Sequence, residues 1–123
     1  MMFLIAEDNA RMREAIKRYL CSNIPDHHTV VEAADGGEAI EFYERVKPDW
    51  VLMDIAMEPM DGLAASRTIL AAHPEAKIII LTHYDEARYR TAAKEAGAKA
   101  FILKEHLSDI LSILSPDVAQ DPL

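Results

Sequence analysis

The chain has 123 residues, half of them apolar, and a formal net charge of −8. That length suits one domain with one core, and the acidity argues against nonspecific binding to nucleic acid or an anionic membrane, which needs a basic surface. It leaves room for a basic protein partner. The only cysteine, Cys21, permits no intrachain disulfide and fits a reducing, cytoplasmic setting, and no signal-like start or run of membrane-spanning length is present.

Met2 to Ala6 reads as a first strand that ends in the acid pair Glu7-Asp8. Met12, Ala15, Ile16, Tyr19 and Leu20 then fall at i, i+3, i+4, i+7 and i+8, the apolar stripe of a first helix, which Cys21 closes as a small core residue. His27 and His28 are adjacent with no Cys or third His near, so they read as solvated loop residues rather than metal ligands. Thr29 to Ala33 is the second strand. Gly36-Gly37 is too short for a nucleotide loop and eases the turn into a second helix, whose stripe is Ala39, Phe42, Tyr43 and Val46. Pro48 follows it. Trp50 to Met53 is the third strand, and Asp54 stands at its end. The Ala-rich stretch from Leu63 to Ala72, after Gly62, is helical by propensity, with Pro74 beyond. Lys77 to Thr82 is the fourth strand. Asp85 is the expected N-cap of a fourth helix, with Tyr89, Ala92, Ala93 and Ala96 on its face and Gly97 as its stop. Ala100 to Lys104 is the fifth strand, and Leu107, Ile110, Leu111 and Leu114 form a short last helix. The stretch 115–123, with two prolines and two aspartates, is expected to be a frayed tail or the start of a linker. The domain is thus placed at 1–114 and the tail at 115–123.

Five strands of near-continuous apolar character fit a parallel sheet covered on both faces. Alternation with helices gives a doubly wound α/β domain, for which right-handed crossovers favour the order 2-1-3-4-5, the known flavodoxin-like order. Ligands in such sheets bind at the carboxyl ends of the strands beside the switch point, here between strands one and three. Four of the runs end there in Glu7-Asp8, Asp54, Thr82 and Lys104. Singly, each reads as a solvated strand end. Asp8 alone would be a helix cap, and Lys104 alone a surface lysine. Together, three carboxylates, a hydroxyl and an ammonium suit a divalent cation and a phosphoryl group. An aspartate can be a nucleophile toward phosphorus. Magnesium takes hard oxygens and one or two carboxylates, which Asp8 and Asp54 supply, with Glu7 acting directly or through water and the Ala56 carbonyl as a further ligand. Lys104 and the Thr82 hydroxyl would stabilise charge on the transferred oxygens.

In Glu7-Asp8-Asn9, Asp54-Ile55-Ala56-Met57, Met60-Asp61-Gly62, Leu81-Thr82 and Leu103-Lys104 the chain resembles a response-regulator receiver domain of two-component signalling, over nearly its whole length. The resemblance implies that Asp54 is the phosphoacceptor and that a histidine kinase or phosphotransfer protein supplies the phosphoryl group from phosphohistidine. It implies that Glu7, Asp8, Asp54 and the Ala56 carbonyl hold Mg2+, and that Thr82 and Lys104 bind phosphoryl oxygens. Phe101 matches the aromatic switch, moving inward as Thr82 is drawn to the phosphate; simple core packing is its plain alternative. Such a protein catalyses only its own phosphorylation and dephosphorylation. The stretch from Leu81 to Glu105 most resembles receivers of transcription factors with a C-terminal helix-turn-helix domain. No such output domain is present here, so the chain is a stand-alone receiver or a piece of a longer protein, and DNA would be reached only through that absent domain. The face of the fourth helix, fifth strand and fifth helix carries Arg88, Arg90, Lys94, Lys99 and Asp109, a mixed set suited to a homodimer.

Four departures from the family pattern stand out, the last involving two residues. Glu58 stands where Pro is usual, with Pro59 one later. Glu105 stands where Pro often follows the lysine, and a trans bond is expected there. His83 replaces a small residue and would narrow the entrance. Tyr84 and Ala56 occupy positions that tune access of the hydrolytic water. Three rival readings exist. A flavin binder needs hydroxyls and N–H groups in its first loop, where this chain has two acids. A haloacid-dehalogenase-type phosphatase needs an Asp at position 56 and a cap domain. A degenerate receiver that acts as a phosphorylation-independent interaction module is the closest competitor.

Overall fold

The computed structural model describes residues 1–24 and 28–114, so the expectations for His27 and for 115–123 lie outside the described residues. Five strands, β1 (Met2–Ala6), β2 (Thr29–Ala33), β3 (Trp50–Met53), β4 (Ile78–Thr82) and β5 (Ala100–Leu103), alternate with five helices, α1 (Ala10–Asn23), α2 (Gly36–Val46), α3 (Gly62–Ala72), α4 (Ala87–Ala96) and α5 (Asp109–Leu114). All pairings are parallel, in the order β2-β1-β3-β4-β5. The expected doubly wound order is therefore present.

The strands are buried because both faces are covered. Side chains alternate across a strand, and β4 shows the result: Ile78 and Ile80 join the core beneath α2, α3 and α4, whereas Ile79 and Leu81 join the core beneath α1 and α5. Each such residue contributes roughly 1.5–3 kcal/mol when fully buried, so β3 and β4, buried along their whole length, are the firm centre. Helix stripes follow the sequence pattern in their centres: Ile16 and Leu20 of α1, Ala39 and Tyr43 of α2, Ala93 of α4, and Ile110 and Leu114 of α5 are buried, whereas Ala15, expected on the α1 stripe, is exposed.

Several local expectations are corrected. Cys21 is exposed, because the core-facing stripe of α1 ends at Leu20. Asp85 does not cap α4. The N-cap position falls on Glu86, which makes no side-chain cap bond, and the Asp85 carboxylate is taken by Arg90 instead. The Lys77 end of the fourth strand lies outside β4, and Lys104 begins a short 3-10 turn, Lys104–His106, rather than ending β5. The last helix starts at Asp109, so Leu107 packs from the turn before it. His28 is half-buried, with its ring edge-on to Phe3 at 6.0 Å between centroids. Gly97 stops α4 as expected, with φ of 100°. Gly36 has a different reason from the one expected: its N–H donates to the Met60 carbonyl at 3.1 Å, and a Cβ there would stand 2.6 Å from that oxygen.

Candidate functional site

Four strand ends deliver the site. The Asp54 N–H donates to the Ala6 carbonyl at 3.0 Å, which carries the β1–β3 ladder one residue past the sheet, and the Glu7 N–H does the same to Ala33. The two acids are therefore held by backbone bonds at the switch point. Asp8 comes next and is exposed, and Asn9, not Asp8, caps α1 by accepting from the Met12 N–H at 2.9 Å. That leaves the Asp8 carboxylate for the site. One carboxylate oxygen from each of Glu7, Asp8 and Asp54 lies within 4.8 Å of the others. They line a cleft of about 450 Å³ together with Ala56, Lys104, Asn9, His83 and Tyr84, and Arg11, Met12 and Ala15 of α1 form its outer wall.

Lys104 crosses the cleft floor. Its Nζ is 2.6 Å from Glu7 Oε1 and 3.3 Å from Asp54 Oδ2, with side chains only 5% and 2% exposed for the first pair. One ammonium thus serves two carboxylates. The bond to Glu7 is close but poorly aligned, and Oε1 has no well-directed hydrogen-bond donor, while Oε2 accepts from the Asn9 N–H at 3.1 Å. Burial pushes the Glu7 carboxyl above its ordinary value, and the Asp54 charge adds to that, against the opposing pull of Lys104. A site with more acid than base, three carboxylates sharing one ammonium and hard oxygens only fits a magnesium ion, which prefers such donors. Glu7, Asp8, Asp54 and Ala56 are the residues that would hold it.

The loop after Asp54 is fixed by close backbone contact. The Gly62 and Met57 N–H groups both donate to the Ile55 carbonyl at 3.0 Å. A Cβ on Gly62 would lie 1.8 Å from the Asp54 carbonyl oxygen. Asp61 caps α3 by accepting from Ala64 N–H at 2.8 Å. The Glu58–Pro59 bond is cis and is the one cis bond among the described residues, so Lys104–Glu105 is trans as expected. Glu58 is exposed and does not line the cleft.

Thr82 is fully buried beside the cleft rather than lining it. Its Oγ1 accepts from the Tyr84 N–H at 3.3 Å. Phe101 is half-buried against the core beneath α4. Sequence reasoning named the five acceptor-side residues that meet here, Glu7, Asp8, Asp54, Ala56 and Lys104. It missed the α1 wall, because Arg11 and Ala15 carry no chemical signature, and it named Arg90 only as part of a charged face, not as the residue that packs on Phe101.

A family model described as a response regulator receiver domain matches residues 3–115. The transcriptional regulatory protein DegU of Brevibacillus brevis is 34% identical over 117 residues, which is 95% of this chain and 49% of that protein. The chemotaxis protein CheY of Listeria monocytogenes is 40% identical over 106 residues, 86% of this chain and 87% of CheY. A two-component response regulator of the LuxR family from Aurantimonas has a crystal structure similar to this fold, with a TM-score of 0.83 at 31% identity, covering 98% of this chain and 89% of that one. The chain spans about half the length of the transcriptional regulators it matches.

Proposed function

The chain belongs to the response regulator receiver family, and from that premise we propose that Asp54 accepts a phosphoryl group from a histidine kinase or phosphotransfer protein. The observation that carries this reading is the Asp54 carboxylate held 3.3 Å from the Lys104 ammonium, in one cleft with two further acids. An Asp54 oxygen attacks phosphorus, a P–O bond forms, and the P–N bond to the donor imidazole breaks with its electron pair leaving on nitrogen. Lys104 stabilises charge on the transferred oxygens as a fixed cation in a partly desolvated site. Thr82 turns from the Tyr84 N–H toward the phosphoryl group and Phe101 follows it inward. Bound magnesium supplies charge neutralisation between the acids and the incoming phosphoryl oxygens.

The chain's chemistry is confined to its own phosphorylation and dephosphorylation. Output is control of transcription, through a helix-turn-helix domain or a partner, and the face of α4, β5 and α5 is where a homodimer would form. Arg88, Lys94, Lys99 and Asp109 are exposed there. No helix among the described residues is long and apolar enough to cross a membrane.

Intact mass after incubation with acetyl phosphate and magnesium tests the reading. One phosphoryl addition is expected, lost without magnesium and lost in Asp54→Ala. Light scattering on the same samples reads the dimer. The competing reading, a phosphorylation-independent interaction module, draws on His83, which lines the cleft mouth. It is favoured if neither acetyl phosphate modifies the chain nor beryllofluoride binds.

A further inference from the structure

Phe101 and the loop between β4 and α4 are tied together by one side chain. The Arg90 guanidinium carbon lies 4.6 Å from the centroid of the Phe101 ring. Its Nε and Nη2 both donate to Asp85 Oδ1, at 2.9 and 2.7 Å. Asp85 stands three residues after Thr82, and Thr82 is itself bonded to the same loop through the Tyr84 N–H. The loop, the α4 helix and the β5 ring therefore meet at Arg90, which closes the outer side of the Phe101 ring.

We infer that Arg90 is a latch that holds the half-buried Phe101 ring and the 82–85 loop in their unmodified positions, and so sets how readily Asp54 is phosphorylated. It is a positioning residue, since it touches none of the reacting groups. The inference rests on the phosphoacceptor reading for its consequence, but the latch itself is a contact of the unmodified protein. If Phe101 swings inward, the stacking on Arg90 is lost. If Thr82 moves toward Asp54, the loop that carries Asp85 moves with it, and the forked bond to Arg90 changes geometry. Both contacts favour the unmodified arrangement, so the energy of phosphorylation is partly spent in breaking them. Ligands shift such an equilibrium only by their differential affinity for the two arrangements. Arg90 and Asp85 are about half exposed, at 47% and 56%. A pair of that kind is weak, and a surface cation–π contact is of similar strength. The bias is therefore small, about fivefold rather than a hundredfold.

The test measures the beryllofluoride affinity of the magnesium-loaded chain, together with the nuclear Overhauser effect between the Phe101 ring and the Thr82 methyl in the unmodified protein. In Arg90→Ala the ring-to-methyl effect is expected to strengthen, and beryllofluoride to bind about fivefold more tightly, with little change in melting temperature. Arg90→Lys keeps the charge but loses the fork, and Asp85→Asn keeps the ring contact but loses the ion pair, so both are expected to fall between wild type and Arg90→Ala. A residue that merely supported the fold would lower the melting point without tightening binding. Arg90→Ala with the wild-type ring-to-methyl effect and wild-type affinity overturns the latch. If wild type itself takes no beryllofluoride, the phosphoacceptor reading fails, and the ring-to-methyl comparison still decides the latch.

Discussion

Gly62→Ala is expected to unseat the acceptor without touching any charged group. The Cβ it adds would fall 1.8 Å from the Asp54 carbonyl oxygen and 2.8 Å from the Met53 Cγ. The first of these neighbours is backbone, held between β1 and α3, so the chain must shift by more than an ångström. Overpacking of this kind costs about 3 kcal/mol, and helix propensity at the start of α3 returns at most about 1 kcal/mol. The net loss of about 2 kcal/mol lowers the melting temperature by roughly 8 °C for a chain of this length. Because the shift falls on the residue that carries the nucleophile, phosphorylation by acetyl phosphate should slow as well. Gly37→Ala is the matched control. Its Cβ meets only the Asp35 carboxylate, at 3.2 Å, and the residue is exposed, so the variant should melt within about 2 °C of wild type. Thermal unfolding followed by circular dichroism reads both. A Gly62→Ala protein that melts with wild type and takes phosphate at the wild-type rate would refute the close-contact argument.

Lys104→Met leaves Glu7 and Asp54 without their shared cation. Loss of one member of a buried pair costs about 3 kcal/mol, so the magnesium-free protein should melt well below wild type and regain much of the difference on adding magnesium; a melting point unmoved without magnesium would count against the pairing. The same variant should phosphorylate about a hundredfold more slowly, as expected on losing a preorganised charge, which a time course of intact mass measures. Glu32 accepts from Arg13 at 2.9 Å and pairs with Lys17 at 3.3 Å, and these bonds hold its carboxyl below the ordinary 4.5. Its stabilising effect is present above the unfolded value and is lost as pH falls through the lower folded value. With the side chain about a third exposed the effect is under about 1 kcal/mol, so Glu32→Gln should be slightly less stable at pH 7 and equal to wild type near pH 2, and a deficit that persists in acid would show a packing loss instead.

The sheet was legible because short apolar runs alternate with helical stripes, β1 and β3 breaking off sharply at Glu7 and Asp54, and the expected bounds of β1, β2 and β3 recur in the structure residue for residue. The charged side of the site was legible for the same cause: Glu7, Asp54 and Lys104 are the first polar groups after apolar runs, and topology brings strand ends together. What escaped was decided by contacts distant in sequence or by small differences in helix phase. Cys21 follows Leu20 by one residue, which turns it off the core stripe. Asp85 has the residue type of a cap, but Arg90 competes for its carboxylate. Gly36 reads as a turn glycine until Met60 is seen against it. Glu58, which stands where the family usually has Pro, is exposed and does not line the cleft.

The Lys104 ammonium spans from the last strand of the chain to the first, where Glu7 waits with Asp54 beside it. Both acids leave the ribosome long before Lys104 does. Until β5 docks, the nascent chain holds two neighbouring carboxylates at the end of a half-built sheet, with no cation from the protein between them. Like charges so placed repel each other, and a cation, from Lys104 or from solution, offsets that repulsion. The pairing of Glu7 and Asp54 with a protein cation is therefore complete only once residue 104 is in place, and a chain cut short before it would carry both acids without that charge.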